Sequence, residues 1–229
     1  MRLIFVHGSG GYGGIFKYQL SHFPFSEAPD LPGHPEGKPR DSVEEYRDWL
    51  HGYIEDRGYE DVVVAGHSLG GAIAISYALE YPLKGLILIG TGARLRVHPD
   101  YLKACEEASK GNMERWLSWT EESTKKLKPE DKEKIKEKRI EIGPAVMLSD
   151  LLCCDKFDYM NRVKEIKVPT LIICGSEDIM TPPKYADYLE REIDGSRKVI
   201  IDGGTHLVFL EKPSEVNGAI KEFIERGLG

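Results

Sequence analysis

In the stretch Val62–Ala72, "VVVAGHSLGGA", one serine stands between glycines: Gly66 two residues before Ser68, Gly70 two residues after. An apolar run that reads as a strand precedes it, and a run of small apolar residues that reads as a helix follows. The G-x-S-x-G spacing places Ser68 on a turn so sharp that side chains two positions to either side would clash. The hydroxyl then stands above the carboxyl edge of a sheet. Free N–H groups at the start of the next helix face the same point, where they would stabilise developing negative charge.

A serine hydroxyl is a weak nucleophile near neutral pH. It needs a histidine to accept its proton and a carboxylate to orient that histidine. Seven histidines compete. His206, in "DGGTHLVFLEKP", comes just after the last strand-like run, at the sheet edge where ligands of open α/β sheets bind. His7 also follows a strand-like run, but its "HGSGG" context reads as an oxyanion loop. His67 reads as structural, and His22, His51 and His98 as surface residues. For the carboxylate, "ICGSEDIMTPP" offers Glu177 and Asp178 after another strand-like run, and position alone does not separate them.

The elements that must carry these residues are visible as apolar runs. Arg2–Val6, Asp61–Gly66, Gly85–Gly90, Pro169–Gly175 and Arg197–Asp202 read as strands, mostly continuous rather than alternating, as strands covered on both faces require. Ser26–Gly33 is a weaker candidate whose two prolines suit only an edge. Helices are expected from Ser42, with Glu45 in the capping-box position, to Gly58; from Leu69 to Pro82; from Pro182 to Gly195; and after Ser214 as N-cap. The alternation indicates an α/β fold. It breaks between Arg94 and Met160, where helical patterns follow one another, so residues 94–160 read as a helical insertion into a core of 1–93 and 161–229.

With 229 residues and a net charge of −7, the chain is long enough for one domain with an insertion, and it has no basic stretch suited to nucleic acid. It contains no apolar run long enough for a membrane span and no secretory leader, so a cytoplasmic location is expected. The four cysteines contain no C-x-x-C pair, which argues against zinc; the adjacent Cys153 and Cys154 read as packing residues. A single glutamine (Gln19) amid abundant Glu, Lys and Arg points to thermostability.

Five stretches, "FVHGSGG", "DLPGHPEGKP", "GHSLGG", "GSEDIMTP" and "GTHLVFLEKP", occur in an order that resembles the α/β-hydrolase superfamily, in its branch of small esterases, lipases and related acyl hydrolases. The resemblance covers nearly the whole chain outside the insertion. It implies Ser68 as nucleophile, Asp178 rather than Glu177 as the acid, and His206 as the base. It also implies an oxyanion hole from the N–H groups of Ser9 and Leu69, with no metal or organic cofactor. Two departures stand out. Pro35 replaces a family glycine, and the N-terminal hairpin before "FVHG" is missing, so a mostly parallel sheet of about six strands is expected.

The function this implies is that of a serine carboxylesterase acting on small to medium acyl esters through an acyl-enzyme. An acyl thioesterase uses the same parts, and a ligand-binding receptor with a retained triad is the non-enzymatic alternative. The insertion is expected to be a lid, with Trp116, Met147 and Leu151 touching the acyl chain and Trp116 and Trp119 on one helix face. From Arg94 to Glu141 there are 13 Lys and Arg against 11 Asp and Glu, a balance of +2 that leaves −9 for the rest of the chain. That contrast makes coenzyme A or an acyl-CoA a candidate partner, with Arg94 and Arg96 at the rim. The alternating charges of "TKKLKPEDKEKIKEKR" equally suit a solvated helix.

Overall fold

The computed structural model describes residues 1–228. Six strands form one sheet, β1 (Arg2–Val6), β2 (Ser26–Glu27), β3 (Val62–His67), β4 (Gly85–Ile89), β5 (Thr170–Gly175) and β6 (Arg197–Ile201). Their order is β2-β1-β3-β4-β5-β6, and every pair is parallel. The weak strand is only two residues long and lies at the edge, because Pro29 and Pro32 have no N–H to give a ladder.

The central strands are buried on both faces, which is why they are apolar without alternation. Ile4, Val6, Val64, Leu86 and Leu88 face one side, against α2 (Val43–Glu55), α3 (Leu69–Glu80) and α8 (Pro183–Glu192). Leu3, Phe5, Val63, Ile87 and Ile89 face the other, against α1 (Lys17–His22), α9 (Val208–Glu211) and α10 (Pro213–Gly227). At the start of α2 the Glu45 N–H donates to Ser42 Oγ (3.2 Å), while Glu45 reaches back to the Asp41 N–H rather than to that of Ser42. The last helix differs from expectation. It begins at Pro213, with Lys212 rather than Ser214 at the N-cap, because proline's fixed φ suits the first helical position.

Four helices occupy the region between β4 and β5: α4 (Pro99–Ser109), α5 (Glu114–Ser123), α6 (Pro129–Ile142) and α7 (Pro144–Lys156). An antiparallel bridge between Arg94 and Asp158 joins the two ends of this region. It has a small core of its own, formed by Cys105, Ala108, Trp116, Met147 and Leu151. The other face of α7 buries Cys153 and Cys154 in the main core, and all four cysteines are free thiols. No helix among the described residues is long and apolar enough to cross a membrane.

Candidate active site

Ser68 sits between the end of β3 and the first turn of α3 with φ 54° and ψ −117°. The turn is held from β4: the Ser68 N–H donates to the Ile89 carbonyl (3.1 Å), and Thr91 Oγ1 donates to the Ser68 carbonyl (2.9 Å). The fencing glycines are required by space. A Cβ on Gly66 would lie 2.1 Å from the Gly70 carbonyl oxygen, and one on Gly70 would lie 2.1 Å from that of Val6. The spacing of the motif is thus the contact list of the turn.

The loop after β5 carries the acid. Asp178 is buried; its Oδ1 accepts from the N–H groups of Met180 (2.8 Å) and Thr181 (2.9 Å). Its Oδ2 accepts from Thr181 Oγ1 (2.8 Å) and from His206 Nδ1 (2.9 Å). Burial alone would raise this carboxyl, but His206 and the Thr181 donors outweigh it and hold the group down at about 2. Glu177, one residue earlier, is exposed and pairs with Lys126 (2.6 Å). The carbonyl of His206 accepts from His67 Nε2 (2.9 Å), so His67 ties the histidine loop to the end of β3. Burial, then the neighbouring His206, pushes His67 down to about 3 and keeps it neutral.

The loop after β1 faces Ser68. The Gly10 N–H donates to Asp150 Oδ2 (3.0 Å) and that of Gly11 to the Gly8 carbonyl (3.0 Å). The N–H groups of Ser9 and Leu69 have no protein acceptor among the described residues. Asp150 comes from α7 and is fully buried. Besides Gly10 it receives Tyr46 Oη (2.8 Å) and His34 Nε2 (2.9 Å). His34 Nδ1 faces the carbonyls of Leu31 and Pro32, each at 3.2 Å. Acceptors face both nitrogens, an arrangement that favours the protonated ring. Burial works against that charge, but the Asp150 carboxylate and the two carbonyls outweigh it and raise its pKa.

One cavity of about 350 Å³ opens onto these groups. Ser68, His206, Ser9, Met147 and Leu151 line it, and Trp119 does so in place of Trp116. Trp116 is fully buried one layer back, its Nε1–H directed at Met147 Sδ (3.3 Å). Both tryptophans, three apart, pack on the small core as expected, and Trp119 also reaches the cavity wall, where it stacks on Tyr101 at 4.5 Å. Arg94 and Arg96 are not in the wall. Both are exposed and lie near Asp158 (3.7 and 3.6 Å) at the foot of the insertion.

Residues 3–219 match the model of the alpha/beta hydrolase family. The chain belongs to this family. A solved thermophilic esterase is 31% identical and superposes with a TM-score of 0.84, covering 100% of this chain and 90% of that one. A malate-bound thermophilic esterase from Thermogutta terrifontis is 26% identical with a TM-score of 0.86, covering 100% and 91%. A pimeloyl-(acyl-carrier protein) methyl ester esterase of Neisseria meningitidis serogroup B is 25% identical over 99% of this chain and 94% of its own length.

Within this family frame, several residues around the site carried no signal in the sequence. Thr181 braces the Asp178 carboxylate from a turn in which it is one hydroxyl among several polar groups. Asp150 and His34 lie 116 residues apart; His34 falls in the stretch "DLPGHPEGKP", but nothing in either context pairs the two. Arg139 is one of many charges on α6, yet it is buried and lines the cavity.

Proposed function

We propose that this alpha/beta hydrolase is a serine carboxylesterase that cleaves small to medium acyl esters through a Ser68–His206–Asp178 triad. The observation that carries the reading is the 2.9 Å Asp178–His206 pair, whose His206 lines, with Ser68, one largely apolar-walled cavity. Ser68 Oγ attacks the ester carbonyl while His206 Nε2 takes its proton, and Asp178 stabilises the imidazolium. The two N–H groups without protein acceptors, Ser9 and Leu69, receive the oxyanion. His206 then protonates the departing alcohol, and water repeats the sequence on the acyl-enzyme. The esterase names among the relatives support ester chemistry. Residues 94–160 serve as the lid, with α7 as its fixed side and α5 and α6 as its outer wall. Met147 and Leu151 take the acyl chain, and Trp119 takes the place expected of Trp116.

The test is a panel of p-nitrophenyl esters of increasing acyl length beside the matching acyl-CoA thioesters. Repeated turnover of the esters, with an optimum at short or medium chains, is expected. A single stoichiometric burst would mean a receptor-like acylation instead. A higher kcat/KM for every thioester would make the protein a thioesterase.

A further inference from the structure

We propose that Arg139 anchors a carboxylate on the substrate, so that the ester taken by this site carries a free carboxylate. The proposal deepens the esterase reading and rests on the same cavity.

Most cations around it are exposed and paired, and Lys132 of α6, which makes no ion pair among the described residues, lies outside the cavity wall. On α6, Lys134 pairs with Glu137 (2.9 Å), Lys138 with Glu141 (2.7 Å) and Lys136 with Glu121 (3.5 Å). At the cavity wall, Lys126 pairs with Glu177 and Lys125 with Glu122. Arg139 alone among these is both buried and without a carboxylate partner. It is 9% exposed and lines the cavity that holds Ser68 and His206. Its one hydrogen bond among the described residues runs from Nη1 to Ser123 Oγ (2.9 Å), and no carboxylate lies within ion-pair distance. Burial lowers its pKa only to about 10, so it remains a cation at neutral pH.

A buried charge without a counter-ion destabilises the fold and is retained where something else needs it. The guanidinium fork matches a carboxylate with two parallel hydrogen bonds. A single unpaired charge suits a monoanion better than a phosphate dianion. Ile135, Met147 and Leu151 make much of the remaining wall apolar, which suits a short methylene chain between carboxylate and ester. The carboxylate can belong to the acyl part or to the alcohol part, and the experiment separates the two.

The experiment compares two near-isosteric pairs: mono-p-nitrophenyl adipate with p-nitrophenyl hexanoate, and 4-acetoxybutyrate with butyl acetate. The wild type is expected to favour the carboxylate-bearing member of one pair by about 10–100-fold in kcat/KM, the usual worth of a charge-assisted contact. Arg139→Met should collapse that ratio, chiefly through KM, and Arg139→Lys should restore part of it. Arg139→Met should melt at or above the wild-type temperature, which separates lost preference from lost folding. Ratios near one in both pairs, or unchanged by Arg139→Met, would overturn the proposal while leaving the esterase reading intact. If no ester is turned over, the esterase reading fails, and the anion site is judged by calorimetry with adipate. Equal adipate affinity in wild type and Arg139→Met, or no binding to either, then overturns it.

Discussion

Ser68 is the only non-glycine among the described residues with positive φ, a conformation that costs about 1–3 kcal/mol and is held here by β4 and by glycines that leave the turn room. Strain of this kind at a side chain facing a cavity motivates the first prediction. Ser68→Ala, His206→Ala and Asp178→Asn should each lower kcat by about 10³-fold or more with the fold preserved, as measured by ester turnover and thermal melting. Glu177→Gln should stay active, because Glu177 pairs with Lys126 at the cavity wall rather than with His206. An inactive Glu177→Gln beside an active Asp178→Asn would reassign the acid. The lowered pKa of Asp178 fixes the direction of its pH effect. Its stabilising contribution is complete above the ordinary value near 3.8 and is lost as pH falls through about 2.

Between elements, the decisive contact is the insertion of α7 into the body through Asp150. One carboxylate holds the loop after β1 at Gly10, the loop after β2 at His34, and α2 at Tyr46. Asp150→Ala would leave the buried His34 ring and two further donors without their acceptor. It should destabilise the protein by about 3–5 kcal/mol in denaturant titration, the usual result of removing one member of a buried pair. It should also lower kcat, because the Ser9 N–H sits beside the released Gly10. A pH dependence belongs to the same contact. The pKa of His34 is raised, so the pair's contribution is complete below its ordinary value near 6.5 and is lost as pH rises through the folded value. His7 packs edge-on against His34 at 4.8 Å and does not compete for the proton, since burial and then His34 itself push it to about 3. Stability of the wild type should therefore decline on the alkaline side more steeply than that of His34→Gln. Parallel curves for the two proteins would remove the imidazolium from this account.

For the whole molecule, part of the surface charge is gathered into clusters beside single pairs such as Lys134–Glu137 and Lys138–Glu141. Glu27 lies within 3.6 Å of both Arg2 and Arg57 and accepts from Tyr53 and Tyr59. Glu222 pairs with Arg197 and Arg226, each at 2.8 Å, and Lys198 reaches Asp187 (2.7 Å) and Glu190 (2.6 Å). Single exposed pairs contribute little, but networks gain weight as temperature rises, because the cost of desolvating charge falls. With the near absence of glutamine, this leads to an expected melting midpoint above the range of about 45–65 °C common to mesophilic domains. A calorimetric midpoint inside that range would refute the thermostable reading.

The sequence alone determined the strand set, the interruption between β4 and β5, and the turn at Ser68. Those features are written locally: buried strands must be apolar throughout, and a sharp turn must be cleared of side chains within two residues. The edge strand was legible as weak because proline cannot donate to a ladder, yet its shortness was not. What only the tertiary structure decided is where side chains point and which distant residues meet. Glu177 and Asp178 are consecutive, and the loop turns one to Lys126 and the other to His206. Trp116 and Trp119 have the same type and helical spacing, yet one packs against Met147 and the other faces the cavity. Gly10 and Asp150 are 140 residues apart, and nothing periodic links them. Arg139 lies between Ile135 and Ile142 on the buried face of α6, but two isoleucines amid alternating charges do not say what that face covers, and only the packing of α6 puts Arg139 in the cavity wall. Periodicity records which face of an element is covered. It carries no record of what covers it.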